Sequence, residues 1–254
     1  MTVVTHDDHL EAARLATAAG ELLVRIRAEL TAEGADASTL KDEGDRRSHE
    51  FLMEELRKVR PNDAILSEEG KDDLARLDAE RVWIIDPVDG TREFSEVPRT
   101  DWAVHVAMVV AGEPVVGAVA LPGLELTLST ANPPTIPEVG ATPPRMIVSR
   151  SRPPAAATLV AEKLGAELVE MGSAGAKAMS VVRGESEMYA HSGGQYEWDS
   201  CAPVAVALAA GLHATRADGS PMTYNHENPY LPDLLICRKE YAQAALAALA
   251  EADE

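Results

Sequence analysis

The sequence predicts an α/β (α+β) chain in two lobes, and three observations carry that expectation. Apolar residues recur at helical spacing through the N-terminal region. Between Trp102 and Thr130 the pattern changes to β-forming runs and tight turns, and beyond it short strands alternate with helices. Asn132 to Arg145 holds five prolines in fourteen residues, the composition of a connector. The expected division is an N-terminal lobe over 1–132, a Pro-rich connector over 133–145 and a C-terminal lobe over 146–254.

Leu15, Leu22, Ile26 and Leu30 follow Asp7-Asp8 on one helical face, so the chain opens with an amphipathic helix. A second helix is expected from about Arg46 to Val59, stopped by Pro61-Asn62-Asp63. Ala64-Ile65-Leu66 and Arg81 to Ile85 read as strands ending in acids, Glu68-Glu69 and Asp86. Ala103 to Val109, Val115 to Ala120 and Leu124 to Leu128 form a hairpin series around Gly112-Glu113-Pro114. In the second lobe, strands at Met146-Ile147-Val148, Leu168-Val169 and Met188-Tyr189 alternate with helices after Pro153-Pro154, after Gly172-Ser173 and from Ser200. A strand at Leu234-Leu235-Ile236 and an Ala/Leu-rich helix close the chain.

Of 254 residues, 46% are hydrophobic and 26% charged, the balance of a folded globule. The net charge of −19 argues against nucleic-acid polymers and anionic membrane surfaces, which need basic footprints. Cys201 and Cys237 are too few for a disulfide framework. Met1 to His9 lacks the basic and apolar runs of a signal peptide, and the most apolar window, Cys201 to Leu212, is short of a bilayer span. The cytoplasm is the expected address.

Trp83-Ile84-Ile85-Asp86-Pro87-Val88-Asp89-Gly90-Thr91 is the most informative segment. Pro87 holds Asp86 out of helical geometry as the strand ends, so Asp86, Asp89 and the Val88 carbonyl can face one point. Gly90 permits close backbone approach, and Thr91 can open a helix whose N–H groups face an anion. Glu68-Glu69 alone read as a solvated loop, and Asp199 alone as a helix cap. Taken together, Glu68, Asp86, Asp89 and Asp199 are four carboxylates that two divalent cations would neutralise, an all-oxygen set suited to Mg²⁺.

Acid-acid, then Trp-Ile-Ile-Asp-Pro-Val-Asp-Gly-Thr, then Trp198-Asp199 resembles the signature of the inositol monophosphatase superfamily of Mg²⁺-dependent, lithium-sensitive phosphatases. Gly90-Thr91-Arg92-Glu93-Phe94, Ser149-Arg150-Ser151-Arg152-Pro153 and Gly193 to Asp199 are most similar to its CysQ-type 3′(2′),5′-bisphosphate nucleotidases. The resemblance implies a layered αβαβα sandwich, two or three Mg²⁺ ions, a homodimer and hydrolysis of a phosphomonoester by metal-activated water. It implies Glu68, Asp86 and the Val88 carbonyl at one metal, with Asp86, Asp89 and Asp199 at a second. Gly90 and Thr91 would hold the phosphoryl oxygens. Thr91 would pair with Asp45 to orient the water, with Asp42 in competition and a helix cap as the plain alternative for Asp45. Glu69 would serve a third metal or its water.

For the substrate, Ser149 and Arg150 after a strand offer a site for a phosphate that is not cleaved. Ser173 and Lys177 offer a second anion site, Tyr189 and Tyr196 a border for adenine, and Glu197 an acceptor for ribose. His105, in an apolar strand, reads as a packed core residue. The expected reaction removes the 3′-phosphate of 3′-phosphoadenosine 5′-phosphate, and also of its 5′-phosphosulfate analogue, in sulfur assimilation. The alternatives are an inositol-1-phosphate or fructose-1,6-bisphosphate phosphatase, or a non-catalytic nucleotide or metal sensor on the same fold.

Overall fold

A computed structural model of the chain describes residues 4–138, 140 and 142–252. The outermost residues of both expected lobes, 1–3 and 253–254, and residues 139 and 141 of the expected connector lie outside them. Helix α1 (His6–Ala32) opens on a Thr5–Asp8 capping box. It buries Ala12, Leu15, Ala16, Ala19, Leu23 and Ile26 along one stripe. Gly20 belongs to that stripe because a Cβ there would stand 2.6 Å from Pro122. Helix α2 spans Ala37–Val59, nine residues longer at its start than the expected helix. Asp36 sets the start by accepting a hydrogen bond from the Thr39 amide at 2.8 Å. Asp45 is therefore an interior residue of a helix, not its cap.

The first sheet contains β1 (Ala64–Ser67), β2 (Arg81–Asp89), β3 (Ala103–Val110), β4 (Glu113–Leu121) and β5 (Leu126–Ser129) in that order. β1 and β2 are parallel, and the remaining pairs antiparallel. β2 does not stop at Ile85 as expected but continues to Asp89. Its register against β3 shifts between Asp86 and Asp89. The second sheet has the order β7 (Glu167–Met171), β6 (Arg145–Ser149), β8 (Met188–Tyr196), β10 (Tyr230–Cys237) and β9 (His213–Thr215). The short β9 was not legible in the sequence.

Sidedness of the strands explains the layering. Trp83, Ile85, Val104, Val106 and Met108 face one way and form a core with α1 and α2. Val82, Ile84, Ala103, Ala107 and Val109 face the other way, onto α5 (Ala174–Val182) and α6 (Glu197–Ala209). That central core also takes Ile147, Tyr189, Leu234 and Ile236 from the second sheet. Met146, Val148, Met188 and Leu235 pack outward on α4 (Ala155–Leu164) and α7 (Lys239–Ala252). The result is the expected αβαβα sandwich, with α5 and α6 as the shared middle layer. Close seating of α6 depends on Gly117 of β4, where a Cβ would meet the Ala202 carbonyl and Ala205 Cβ at 2.7 Å.

Candidate active site

The site forms where β2 ends. The Val88 amide donates to Asp86 Oδ1 at 3.1 Å, folding the chain tightly around Pro87. Gly90 then takes φ 84° and ψ 44°, a left-handed conformation that favours glycine, and launches the short helix α3 (Thr91–Ser95). From above, α2 closes on this turn. Ser48 Oγ donates to the Pro87 carbonyl at 2.8 Å, and Gly44 lets Phe94 come so near that a Cβ would sit 2.6 Å from its ring. The approach brings Asp45 to Thr91, with which it shares a hydrogen bond. Asp42, the competitor, is exposed on the same helix. The Thr91 hydroxyl also lies 3.1 Å from the Val88 carbonyl, so its one proton has two competing acceptors.

From the second half of the chain comes Asp199, in the first turn of α6. The helix begins at Glu197, three residues before the expected Ser200, because Tyr196 is its cap and Asp199 Oδ2 accepts from the Tyr196 amide at 2.7 Å. One oxygen each of Asp86, Asp89 and Asp199 lies within 4.8 Å of the others. Glu68 hydrogen-bonds Asp86, and Glu69 stands beside Asp45.

Burial and crowding drive these acids towards neutrality. Desolvation, then the charge of Glu69 and the other acids, lifts Glu68 to about 7, against a hydrogen bond with Asp86 that pulls downward. Desolvation, then Glu68, Asp89 and Asp199, pushes Asp86 far up. Asp199 rises to about 7 through desolvation and the charge of Asp89, and Asp45 to about 7 through desolvation and Glu69. Asp89 is the exception. Burial raises it, but His105, the Ser173 hydroxyl and Lys177 more than offset this and bring it to about 2. Its oxygens accept from Ser173 Oγ, the Ala174 amide at 3.0 Å and the Gly175 amide, at the start of α5. Ser173 holds a left-handed backbone, φ 50°, to make that contact.

Five expected substrate contacts differ from the sequence reading, beginning with Ser173, which is buried with its hydroxyl given to Asp89. Arg150 is not open at the surface: it donates to Glu93 at 2.6 Å and Glu96 at 2.7 Å, both next to α3's turn. Glu197 cannot face a ribose, because it is fully buried and accepts from the Asn225 amide, the His226 amide and His226 Nδ1. Lys177 is buried, with Nζ committed to the Gly172 and Ser173 carbonyls. Tyr189 is buried under Gln195, while Tyr196 is exposed and stacked on Trp198. Ser149, by contrast, is half-buried at the end of β6, with its hydroxyl accepting from the Arg152 amide at 3.3 Å.

His105 and Arg76 carry weight that the sequence reading missed. His105 is buried but touches Asp89 rather than serving only as packing. Arg76 donates to Asp72, Asn225 and the His226 carbonyl, pinning the loop that holds Glu197 beside Asp199. Both act through partners distant in the chain, so no local signal announced them. A groove of about 620 Å³ along α1 and β5, lined by Thr17, Val24, Pro122 and Leu126, carries none of the acids.

The inositol monophosphatase family model matches residues 7–134 and 145–254. The chain belongs to the inositol monophosphatase family. The resemblance read from its motifs is thereby borne out. Over 247 residues it is 50% identical to a Mycobacterium bovis protein named 3′-phosphoadenosine 5′-phosphate phosphatase, covering 92% of this chain and 90% of that one. It is 29% identical over 195 residues to 3′(2′),5′-bisphosphate nucleotidase CysQ of Escherichia coli K12, covering 72% and 79%. Among solved structures, CysQ from Bacteroides thetaiotaomicron superposes with a TM-score of 0.77 at 25% identity, covering 94% of this chain and 99% of that one. Staphylococcal inositol monophosphatase II with bound 2′-AMP gives 0.74 at 20% identity over 94% and 95%, a likeness of fold. No helix among the described residues of this family member is long and apolar enough to cross a membrane.

Proposed function

We propose that the protein is a Mg²⁺-dependent phosphatase that removes the 3′-phosphate of 3′-phosphoadenosine 5′-phosphate, yielding AMP and phosphate. The 5′-phosphosulfate analogue is a second substrate, and the setting is nucleotide recycling in sulfur assimilation. The observation that carries the chemistry is the convergence of Asp86, Asp89 and Asp199 within 4.8 Å. The name of the relative at 50% identity carries the substrate.

The residues suit a hard divalent cation. All donors are oxygens, and the groups acting most on Asp86 are carboxylates whose repulsion a cation relieves. Glu68, Asp86 and the Val88 carbonyl would hold one ion, and Asp86, Asp89 and Asp199 a second, with Glu69 near a third. When bound, such ions supply Lewis-acid stabilisation of phosphoryl charge and acidify water.

The chain's own residues do the rest. The first N–H groups of a helix lack internal partners, so those at Gly90 and Thr91 can receive phosphoryl oxygens. Asp45, hydrogen-bonded to Thr91, is placed to accept a proton from the Thr91 hydroxyl or a water beside it. Ser149 can hydrogen-bond the phosphate that stays. Arg150 can reach that phosphate by leaving Glu96, the exposed half of its clamp. Ser173 and Lys177 support Asp89 and the loop entering α5, so their effect on an anion is electrostatic. A cytoplasmic address accords with two buried, unbridged cysteines, and a homodimer is the assembly we expect.

The test is phosphate release with Mg²⁺ from 3′-phosphoadenosine 5′-phosphate, inositol 1-phosphate and fructose 1,6-bisphosphate side by side, with Asp86→Asn as the blank. Preference for the nucleotide supports the assignment. Preference for a sugar or inositol phosphate retains the site and discards the substrate, and no release from folded protein discards catalysis.

A further inference from the structure

His105 is central to this inference, which rests on the metal site proposed above. The residue sits on β3 opposite Asp86, with no exposure to solvent, on the strand face that meets α5 and α6. Its ring bridges two elements that arrive from opposite halves of the chain. Nδ1 lies 2.9 Å from the Trp198 carbonyl, one residue before Asp199. A carbonyl only accepts, so Nδ1 carries a proton there. Nε2 lies 3.1 Å from Asp89 Oδ2. The atom makes no aligned hydrogen bond, so the second contact is one of close approach, the ring limiting where Asp89 can lie. Room for the ring is provided by Gly175, where a Cβ would fall 2.0 Å from Nε2 and 3.0 Å from Asp89 Oδ2.

We propose that His105 is a positioning residue that fixes Asp89, at the end of β2, relative to Asp199, at the start of α6. One rigid ring touches the first acid directly and the second through the backbone of its neighbour. An aliphatic side chain of similar bulk would fill the space without either contact. Partners that orient the ligands of a metal typically govern affinity over a 10–100-fold range.

The experiment titrates Mg²⁺ alone, without substrate, into wild type, His105→Leu and His105→Gln, reading heat of binding and the metal-dependent rise in Tm. His105→Leu is expected to weaken Mg²⁺ binding by at least about tenfold, while its metal-free Tm stays close to wild type. His105→Gln keeps an amide donor but cannot span both partners, so its affinity should fall between the two. A loss of affinity graded in this order supports the positioning role. Wild-type Mg²⁺ affinity in either folded variant overturns it. Should the leucine variant not fold, the glutamine variant decides the matter by the same criterion. If wild type itself takes up no Mg²⁺, the proposed function fails and this inference with it.

Discussion

The two ends of β2 hold acids in opposite circumstances. At its start, Arg81 reaches Asp8 at 2.6 Å and Asp63 at 2.9 Å, and Arg60 reaches Asp8 at 2.8 Å. Asp8 is buried, which on its own raises a carboxyl, yet the bonds from Arg81, Thr5 and Arg60 hold it well below the usual range. At the other end, Asp86 is equally buried among acids and is pushed up. Burial is common to both, so burial does not distinguish them. The distinction is whether the protein supplies the positive charge. Where it does, the acid is a fastening between α1, α2 and β2. Where it does not, as around Asp86, the acids repel one another and favour the protonated form.

The contrast can be broken by removing one acid from each end. Asp199→Asn keeps the acceptor for the Tyr196 amide but deletes a charge from the crowded cluster. Activity should fall by about 10³-fold or more, the scale of losing an electrostatic partner of the transition state. The metal-free Tm should hold or rise, and a drop in Tm would mean that the acids stabilise the fold after all. Asp8→Ala should do the reverse. It removes one carboxylate partner from each of two arginines, which keep Asp7 and Asp63, and should destabilise the protein by about 1.5–3 kcal/mol, measurable by urea unfolding, with the kcat of the remaining folded protein unchanged.

Dependence on pH sharpens the same difference. For Glu68 and Asp199 the folded-state pKa of about 7 exceeds the unfolded values of 4.5 and 3.8. The folded protein therefore binds more protons in that window, and stability falls as pH rises from about 4 to 7. Asp8 has the opposite sign: its stabilisation is present above the unfolded value of 3.8 and is lost as pH falls below it. Melting in EDTA at pH 5 and pH 8 should show the higher Tm at pH 5, and Mg²⁺ should raise Tm more at pH 8. A metal-independent Tm that climbs from pH 5 to 8 would contradict the cluster's sign. The smallest effect separates two adjacent acids on one arginine. Asp7 also contacts Arg60, at 2.6 Å, but its side chain is 69% exposed. Asp7→Asn should shift stability by no more than about 0.5–1 kcal/mol, a value that urea unfolding resolves from that of Asp8→Ala.

What the sequence revealed of the site followed the range of the interactions. Asp86, Pro87, Val88, Asp89, Gly90 and Thr91 make a local turn, so their spacing carried the geometry. The layers were legible because strand alternation and helical stripes are also local patterns. The second helix was expected only from about Arg46, with a cap as the plain alternative for Asp45. In the structure Gly44 is an interior helical residue whose missing side chain admits Phe94, half a hundred positions away in the chain. Arg150, Glu197 and His105 make contacts that the sequence did not show, for a related reason. Their partners Glu93, His226 and Trp198 become neighbours only when the sheets are stacked. Residue type shows that a charge needs an answer, but not which distant residue answers it.

The middle layer has a consequence for the chain's integrity. α5 and α6 belong to the second half of the sequence, but one of their faces completes the interior of the first sheet. Neither half can bury that sheet face alone. A cut in the Pro-rich stretch would leave two pieces that hold each other by their filling, so a nicked protein should stay whole and the separated pieces should seek one another. The interior shared by the two sheets is what would keep the halves together.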